Sequence, residues 1–139
     1  MKAANRYGVT PLALAAELGE ASVVEHLLKA GADAKTANRY GITPMNLAAT
    51  NGNAAILEKL LNAGASANAA TPGGETALMT AARTGSIDSL KLLLDRGADV
   101  NAKESSRGQT ALMWAAASSQ AAMVRELLAR GAEVDAKSA

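Results

Sequence analysis

The sequence predicts an all-α solenoid in which short antiparallel helix pairs stack on near-copies of themselves. One stretch of the chain occurs almost twice: ANRYGVTPLALAA begins at Ala4 and ANRYGITPMNLAA begins at Ala37, 33 residues later. Three anchor positions keep this period along the chain, as repeat architectures do. Of the 139 residues, 49% are hydrophobic, only 2% are aromatic and none is Phe. This composition favours close-packed short helices over a sheet sandwich.

The anchors are a threonine, a glycine that follows it, and a second glycine that opens a short motif. The threonines, spaced by 33, 33 and 34 residues, are Thr10, Thr43, Thr76 and Thr110. The first glycines are Gly19, Gly52 and Gly85, with Ser119 in the fourth copy. The motifs GADAK, GASAN, GADVN and GAEVD begin at Gly31, Gly64, Gly97 and Gly131.

This spacing predicts one domain of four repeats, which cover approximately residues 5–37, 38–70, 71–104 and 105–139. The extra residue of the last interval fits best near Lys103 or Glu104, just before the fourth RGQT.

The first half of each copy predicts a short helix. In the first copy, Thr10 is a suitable N-cap and Pro11 fits the first helical position, where a missing N–H costs nothing. The segment LALAAEL supplies two helical turns, and Gly19 can take the left-handed conformation that ends a helix.

The second half of each copy predicts another helix and then a finger. Glu20 opens the segment ASVVEHLLKA, which Gly31 ends. Four apolar residues share one face of this helix at helical spacing: Val23, Val24, Leu27 and Leu28. From GADAK to the next NRYG, turn-forming residues hold no helical period, so we expect a tight, extended finger of the β-turn or hairpin type.

Stacking has to supply the stability of these helices, because isolated helices under about 12 residues are marginal in water. Adjacent alanines, such as Ala15 with Ala16 and Ala81 with Ala82, let the first helices of neighbouring copies approach closely. The leucine faces of the second helices then bury against one another. We therefore expect that no single copy folds alone.

These motifs resemble those of ankyrin repeats, whose unit has about 33 residues and a TPLHxA motif. TPLALA, TPMNLA, TALMTA and TALMWA stand at that place, and the family's GADVN is intact at residues 97–101. The proline of the motif is lost at Ala77 and Ala111, and its histidine is replaced in every copy, by Ala13, Asn46, Met79 and Met113. Because that histidine bonds neighbouring turns together in the family, the resemblance implies an array held more by apolar packing.

The chain lacks the residues that most catalytic sites require. The chain has no Cys and one His, which excludes disulfides, thiolate chemistry and the usual zinc or paired-histidine sites. No GxxxxGK loop is present, and PGGET at residues 72–76 is read as a turn. His26 follows Ser22 by four residues, but its equivalents in the other copies are Lys59, Leu92 and Glu126, which indicates a half-exposed surface. We predict no catalytic, cofactor or metal site and no enzymatic activity.

Charge and hydropathy bear on partners and location. With 14 basic and 13 acidic residues, the net charge of +1 implies no strong attraction to nucleic acid or to a membrane. No apolar run approaches the length of a membrane span. The opening MKAANRYGVT lacks the apolar centre of a secretory signal, so the expected location is cytoplasmic or unknown.

The resemblance implies a protein-binding module whose partner lies on the concave side, formed by the finger tips and the first helices. Tyr and Arg, which often anchor protein interfaces, fall on this surface. Trp114 also lies on a first helix and is expected to be partly exposed there. The candidate partner-binding residues are Arg6, Tyr7, Val9, Arg39, Tyr40, Ile42, Glu75, Arg83, Arg107, Gln109 and Trp114.

Several alternatives stay open on the sequence. Tyr7 and Tyr40 can pack on each other rather than on a partner, and Trp114 can cover an end of the stack. The near-duplicate NRYG fingers also suit a structural or engineered scaffold without a natural ligand, and an enzyme is a third alternative. Neither terminal copy carries a polar cap, which predicts either a section of a longer array or end-to-end self-association.

Overall fold

The computed structural model describes residues 8–138, and this part of the chain contains eight α-helices. Their bounds are α1 Pro11–Leu18, α2 Ala21–Lys29, α3 Pro44–Thr50, α4 Ala54–Asn62, α5 Ala77–Thr84, α6 Ile87–Asp95, α7 Ala111–Ala117 and α8 Ala121–Ala129. β-Structure in this part of the chain is limited to one isolated antiparallel bridge, between Ala70 and Thr76. The all-α prediction is confirmed.

The helices form two rows. The first helices, α1, α3, α5 and α7, pack side by side, and the second helices, α2, α4, α6 and α8, form a parallel row. Each first helix also packs against the second helix of its own pair. The hydrophobic core runs between the rows and along the stack, so each pair depends on its neighbours for burial.

The first helices begin at the predicted threonines. The Thr10 hydroxyl accepts a hydrogen bond from the backbone N–H of Ala13 at 3.1 Å, and Thr76 accepts one from Met79 at 3.2 Å. Thr43 and Thr110 cap α3 and α7 in the same way. Each cap satisfies one of the backbone donors that a helix start leaves free.

The ends of the first helices require a left-handed backbone. Gly19 and Gly85 adopt it with φ of 76° and 84°. Ser119 stands at this place in the fourth pair with φ of 57°, and it is the sole non-glycine residue with positive φ in the described range. A side chain makes this conformation unfavourable, so α7 ends with local strain that α1 and α5 avoid.

The second, third and fourth fingers are each closed at the base by a residue that we call the finger root. Asn38, Thr71 and Glu104 are the roots, and the backbone N–H of each donates to a carbonyl on the far side of the loop. The loop closes after four residues at Asn38 and Thr71, on Ile42 and Glu75, but after five at Glu104, on Gln109. The extra residue of the last repeat interval is therefore accommodated inside this finger, next to the predicted place.

The second helices show which residues face which neighbour. Val24 is buried, but Val23 is 44% exposed, so the expectation that both lie on the buried face is wrong for Val23. The equivalents of Val23 in the later pairs are buried: Ile56, Ser89 and Met123. This position therefore packs on the preceding repeat in α4, α6 and α8, and in α2 it is exposed.

The position of the missing family histidine is not purely apolar. Asn46 is buried, and its side-chain amide donates to the carbonyl of Ala69 in the next finger at 3.4 Å. Its carbonyl oxygen accepts from the backbone N–H of Thr43. Ala13 and Met79 are buried and apolar at this position, as implied, whereas Asn46 keeps a polar link between repeats.

Candidate partner-binding surface

We call the finger tips and the exposed sides of the first helices the inner surface. In the second finger, Tyr40 is 65% exposed and Arg39 is also exposed, whereas Ile42 is half-buried. The root residue Asn38 orders this tip, because its side-chain oxygen accepts from the backbone N–H groups of Tyr40 and Ile42. The tip therefore presents an aromatic side chain from an ordered loop.

The first finger is described only in part. Val9 is half-buried. Arg6 and Tyr7 lie outside the described residues, as does the alternative that packs Tyr7 on Tyr40.

The structure brings together three candidates from the third and fourth repeats. The guanidinium carbon of Arg83, near the end of α5, lies 5.5 Å from the ring centroid of Trp114 on α7. The same guanidinium contacts the carboxylate of Glu75 at 3.3 Å. Arg83 thus lies between an aromatic face and an anion, both of which attract it.

Thr80 fixes the carboxylate in this group. Its hydroxyl donates to Glu75 Oε1 at 2.8 Å, and Thr80 itself is buried on α5. The acceptor Oε1 is the oxygen that contacts Arg83. Glu75 therefore acts here as a positioning residue for Arg83, with Thr80 behind it.

Trp114 is half-buried, in agreement with the expected partial exposure. Its indole N–H is buried and has no hydrogen-bond partner in the part of the chain that the structure describes. Most buried polar groups in proteins form hydrogen bonds, so an unsatisfied indole N–H is unusual.

A cavity of about 230 Å³ opens beside Trp114. Arg107 and Gln109, from the tip and the far side of the fourth finger, line one side of it, and Arg83 lines another. The remaining lining comes from α7 and its end: Met113, Trp114, Ala117 and Ser118. Two neighbouring repeats and one finger therefore build this cavity, which we call the Trp114 cavity.

The fourth finger is held by a buried carboxylate. Glu104 accepts from the hydroxyl and the backbone N–H of Ser106, at 2.6 and 2.7 Å, and from the backbone N–H groups of Arg107 and Gln109, at 2.9 and 3.0 Å. These hydrogen bonds, that of the Ser106 hydroxyl foremost, lower the pKa of Glu104 from 4.5 to about 2. The charge of Glu104 is directed into the loop and fixes the backbone that carries Arg107.

Other surfaces contain different features. A cavity of about 330 Å³ lies between α2 and α4, where Glu25 contacts Lys29 and Lys59 at 3.5 and 3.7 Å. His26 donates from Nδ1 to the backbone carbonyl of Ser22 at 2.6 Å, so the hydroxyl of Ser22 is not its partner.

Residues 8–138 contain neither a cluster of metal-ligating side chains nor a helix able to span a membrane. No group of three or more His, Asp or Glu side chains within this range is arranged to hold a metal ion. None of the helices in it has both the length and the apolar character that crossing a membrane requires.

Comparison with known proteins agrees with the repeat architecture. A family model described as ankyrin repeats in three copies matches residues 1–71 and again residues 47–138. The chain belongs to the ankyrin-repeat family. The two matches overlap, which accords with more than three helix pairs in this ankyrin-repeat protein. A search of curated proteins found no match. Ankyrin repeats generally mediate protein–protein interactions and are typically non-enzymatic.

Sequence reasoning missed several residues of the Trp114 cavity in this ankyrin-repeat protein. Met113 and Ser118, which line the cavity, and Thr80, which positions Glu75 beside it, are absent from the candidate residues that the sequence predicts. Aligning the fingers on Asn38 and Thr71 would have marked Glu104 as a root. The contact of Arg83 with Trp114 gives no comparable signal, since it depends on the side-chain conformations of two repeats.

Proposed function

We propose that this ankyrin-repeat protein binds another protein along its inner surface and that Arg83 and Trp114 are central anchors. The observation that carries the proposal is the stacking of Arg83 on a half-buried tryptophan, with Glu75 and Thr80 holding the arginine in place. Trp and Arg are enriched among residues that dominate binding energy. A side chain that is already ordered loses less conformational entropy when a partner binds.

The second finger extends this surface. Tyr40 is exposed at an ordered tip, and tyrosine combines a large apolar area with a polar group. We propose that Tyr40 and Arg39 contact the same partner, together with the half-buried Ile42 and Val9. Gln109 and Arg107 flank the other side of the anchors, in the fourth finger.

Affinity capture with quantitative mass spectrometry tests this proposal. A variant with Tyr40→Ala and Trp114→Ala should lose at least about tenfold of the signal of each reproducible partner, since hot-spot truncations cost about 2 kcal/mol or more. A control with Lys91→Ala and Arg125→Ala, two exposed residues of second helices, should capture the same partners as the wild type. Full capture by the first variant would overturn the proposal. An empty wild-type capture would favour a scaffold without a natural ligand.

End-to-end association of copies is a second candidate. Val23 at one end of the described stack and Leu128 at the other are 44% and 41% exposed. A cavity of about 250 Å³ adjoins Leu128, lined also by Leu112, Val124 and Val134. Val23 occupies a position that packs on a preceding repeat, and Leu112 one that is buried within the stack in the earlier repeats, so stacking a second copy would reproduce an internal interface.

Sedimentation velocity over a range of protein concentrations tests this second candidate. Wild-type protein should sediment faster as its concentration rises, and Leu128→Glu should abolish the increase by placing a charge on the apolar end. Leu18→Glu is the matched control, because Leu18 is exposed at a position that is exposed or half-buried in every repeat. Wild-type protein that stays monomeric at all concentrations would exclude the association.

A further inference from the structure

We infer that the Trp114 cavity receives a carboxylate side chain, Asp or Glu, of the partner protein. This inference rests on the proposed function above and specifies the chemistry of one contact. It follows from the charge, the hydrogen-bonding groups and the size of the cavity.

The charge of the lining is positive. Arg83 and Arg107 contribute two guanidinium groups, and none of the lining residues is acidic. Arg83 is partly neutralised by Glu75, but Arg107 is exposed and makes no ion pair within residues 8–138. Glu104 lies in the same finger, where its oxygens already accept four hydrogen bonds from the loop. An anion in the cavity would therefore meet one arginine that no carboxylate of residues 8–138 contacts.

The polar groups of the lining are mainly donors. Guanidinium groups donate without accepting, and they match the planar geometry of a carboxylate. The Gln109 amide and the Ser118 hydroxyl also line the cavity, and their side chains make no hydrogen bond inside the described range. A group that only accepts hydrogen bonds, such as a carboxylate, can satisfy these donors together.

The size of the cavity favours a side chain over a larger ligand. Its volume of about 230 Å³ is below the roughly 300–1,000 Å³ that is typical of pockets for drug-sized ligands. Trp114 and Met113 supply an apolar wall. This wall suits the methylene groups that precede the carboxylate, or an apolar residue beside it.

Binding of short peptides, followed by NMR, tests the inference. Trp114 is the sole tryptophan of the chain, so its indole N–H gives one resonance in a ¹⁵N correlation spectrum. Two probes differ in charge alone: acetyl-Leu-Glu-Leu-amide and acetyl-Leu-Gln-Leu-amide. The Glu peptide should shift the indole resonance saturably and bind at least about fivefold tighter than the Gln peptide, since a charged acceptor forms stronger hydrogen bonds with guanidinium groups than a neutral amide does.

Matched variants locate the effect. Arg107→Gln should lower the affinity for the Glu peptide by about fivefold or more and leave the affinity for the Gln peptide unchanged. Arg125→Gln, on α8, should leave both affinities unchanged. Equal affinity of both peptides, or an unchanged Glu affinity in Arg107→Gln, would overturn the inference. Tighter binding of acetyl-Leu-phosphoserine-Leu-amide than of the Glu peptide would also overturn it, in favour of a phosphorylated partner.

The capture experiment separates failure of this inference from failure of the proposed function. If partners bind through Trp114 but the two peptides bind with equal affinity, the inner-surface proposal holds and the carboxylate inference is wrong. If the Glu peptide binds more tightly than the Gln peptide but no captured partner depends on Trp114, the cavity does bind a carboxylate and the inner-surface proposal is wrong.

Discussion

Asn68 links two neighbouring repeats through Gly97. Its side-chain amide donates to the carbonyl oxygen of Gly97 at 3.1 Å, and its own oxygen accepts from the backbone N–H of Asp99 at 2.7 Å. Asn101 makes the same two bonds one repeat further on, to Gly131 and from Glu133. Lys35 stands at this place in the first repeat, and an ammonium group cannot accept the second bond.

Lys35→Asn should stabilise the protein. Asparagine at this position can donate to the Gly64 carbonyl and accept from the Ser66 N–H, by analogy with Asn68. A hydrogen bond contributes about 0.5–1.5 kcal/mol net, so we expect a gain of about 1 kcal/mol in the free energy of unfolding. Urea denaturation followed by circular dichroism measures it.

The reverse change, Asn68→Lys, should lower the free energy of unfolding by a similar amount. If Asn68→Lys destabilises the protein while Lys35→Asn leaves the urea midpoint unchanged, the analogy between the two joints is wrong.

Ser119→Gly should also stabilise the protein. Ser119 has φ of 57°, a conformation that costs an L-residue about 1–2 kcal/mol, part of which is offset by the greater unfolded-state entropy of glycine. We expect a net gain of about 1 kcal/mol in thermal or urea unfolding.

Gly19→Ala provides the control for Ser119. A Cβ on Gly19 would have no neighbour nearer than 3.9 Å, so any destabilisation reports the backbone conformation and not a clash. Ser119→Gly should raise stability and Gly19→Ala should lower it. If both substitutions raise stability, or both lower it, the backbone of Ser119 is not strained.

The fourth finger should lose stability in acid. Because folding lowers the pKa of Glu104 from 4.5 to about 2, its contribution is fully present above pH 4.5 and disappears as the pH falls to about 2. Glu104→Gln places an amide where four donors need an acceptor, so it should lower the melting temperature at pH 7. Melting curves between pH 7 and pH 2 should therefore converge in acid for wild type and variant.

Glu17→Gln is the control for this pH dependence, because Glu17 is an exposed residue of α1. Its melting curves should follow those of the wild type at every pH. A constant difference between wild type and Glu104→Gln down to pH 2 would show that the carboxylate is not the group that titrates.

Trp114 fluorescence should report the contact with Arg83. The guanidinium lies against the indole ring, so acrylamide should quench the fluorescence only partly in the wild type. Arg83→Ala should increase the quenching constant by uncovering that face, and Arg125→Ala on α8 should not change it. Quenching that is insensitive to Arg83→Ala would place the arginine elsewhere in solution.

Much of the fold follows from local backbone chemistry and could therefore be predicted. Thr43 and Thr76 cap their helices because a hydroxyl two or three residues before free N–H groups satisfies them in almost any context. Gly85 ends α5 because its position requires positive φ. These features depend on a few neighbours in sequence, and the period repeats them.

The rest depends on what lies next to a residue in space. Val23 and Val24 are the same residue type in one helix, yet Val23 is exposed and Val24 is buried. Asn46 links to the next finger through an amide that the family motif did not suggest. The cavity beside Trp114 requires a finger and two helices to meet, and their side-chain conformations cannot be derived from spacing.

The position of Lys35, between the first and second repeats, has a consequence for how the molecule unfolds. Polar links such as those of Asn51 to the carbonyls of Ala16 and Glu17, and of Asn68 to Gly97, join nearest neighbours, so disruption of one hairpin is transmitted weakly along the row. The joint between the first and second hairpins lacks the pair of hydrogen bonds that Asn68 and Asn101 make at the later joints, although Asn51 still bridges it, so we expect the first hairpin to open more readily than the others. Opening of the first hairpin would then leave the contact between Arg83 and Trp114, two repeats away, unchanged.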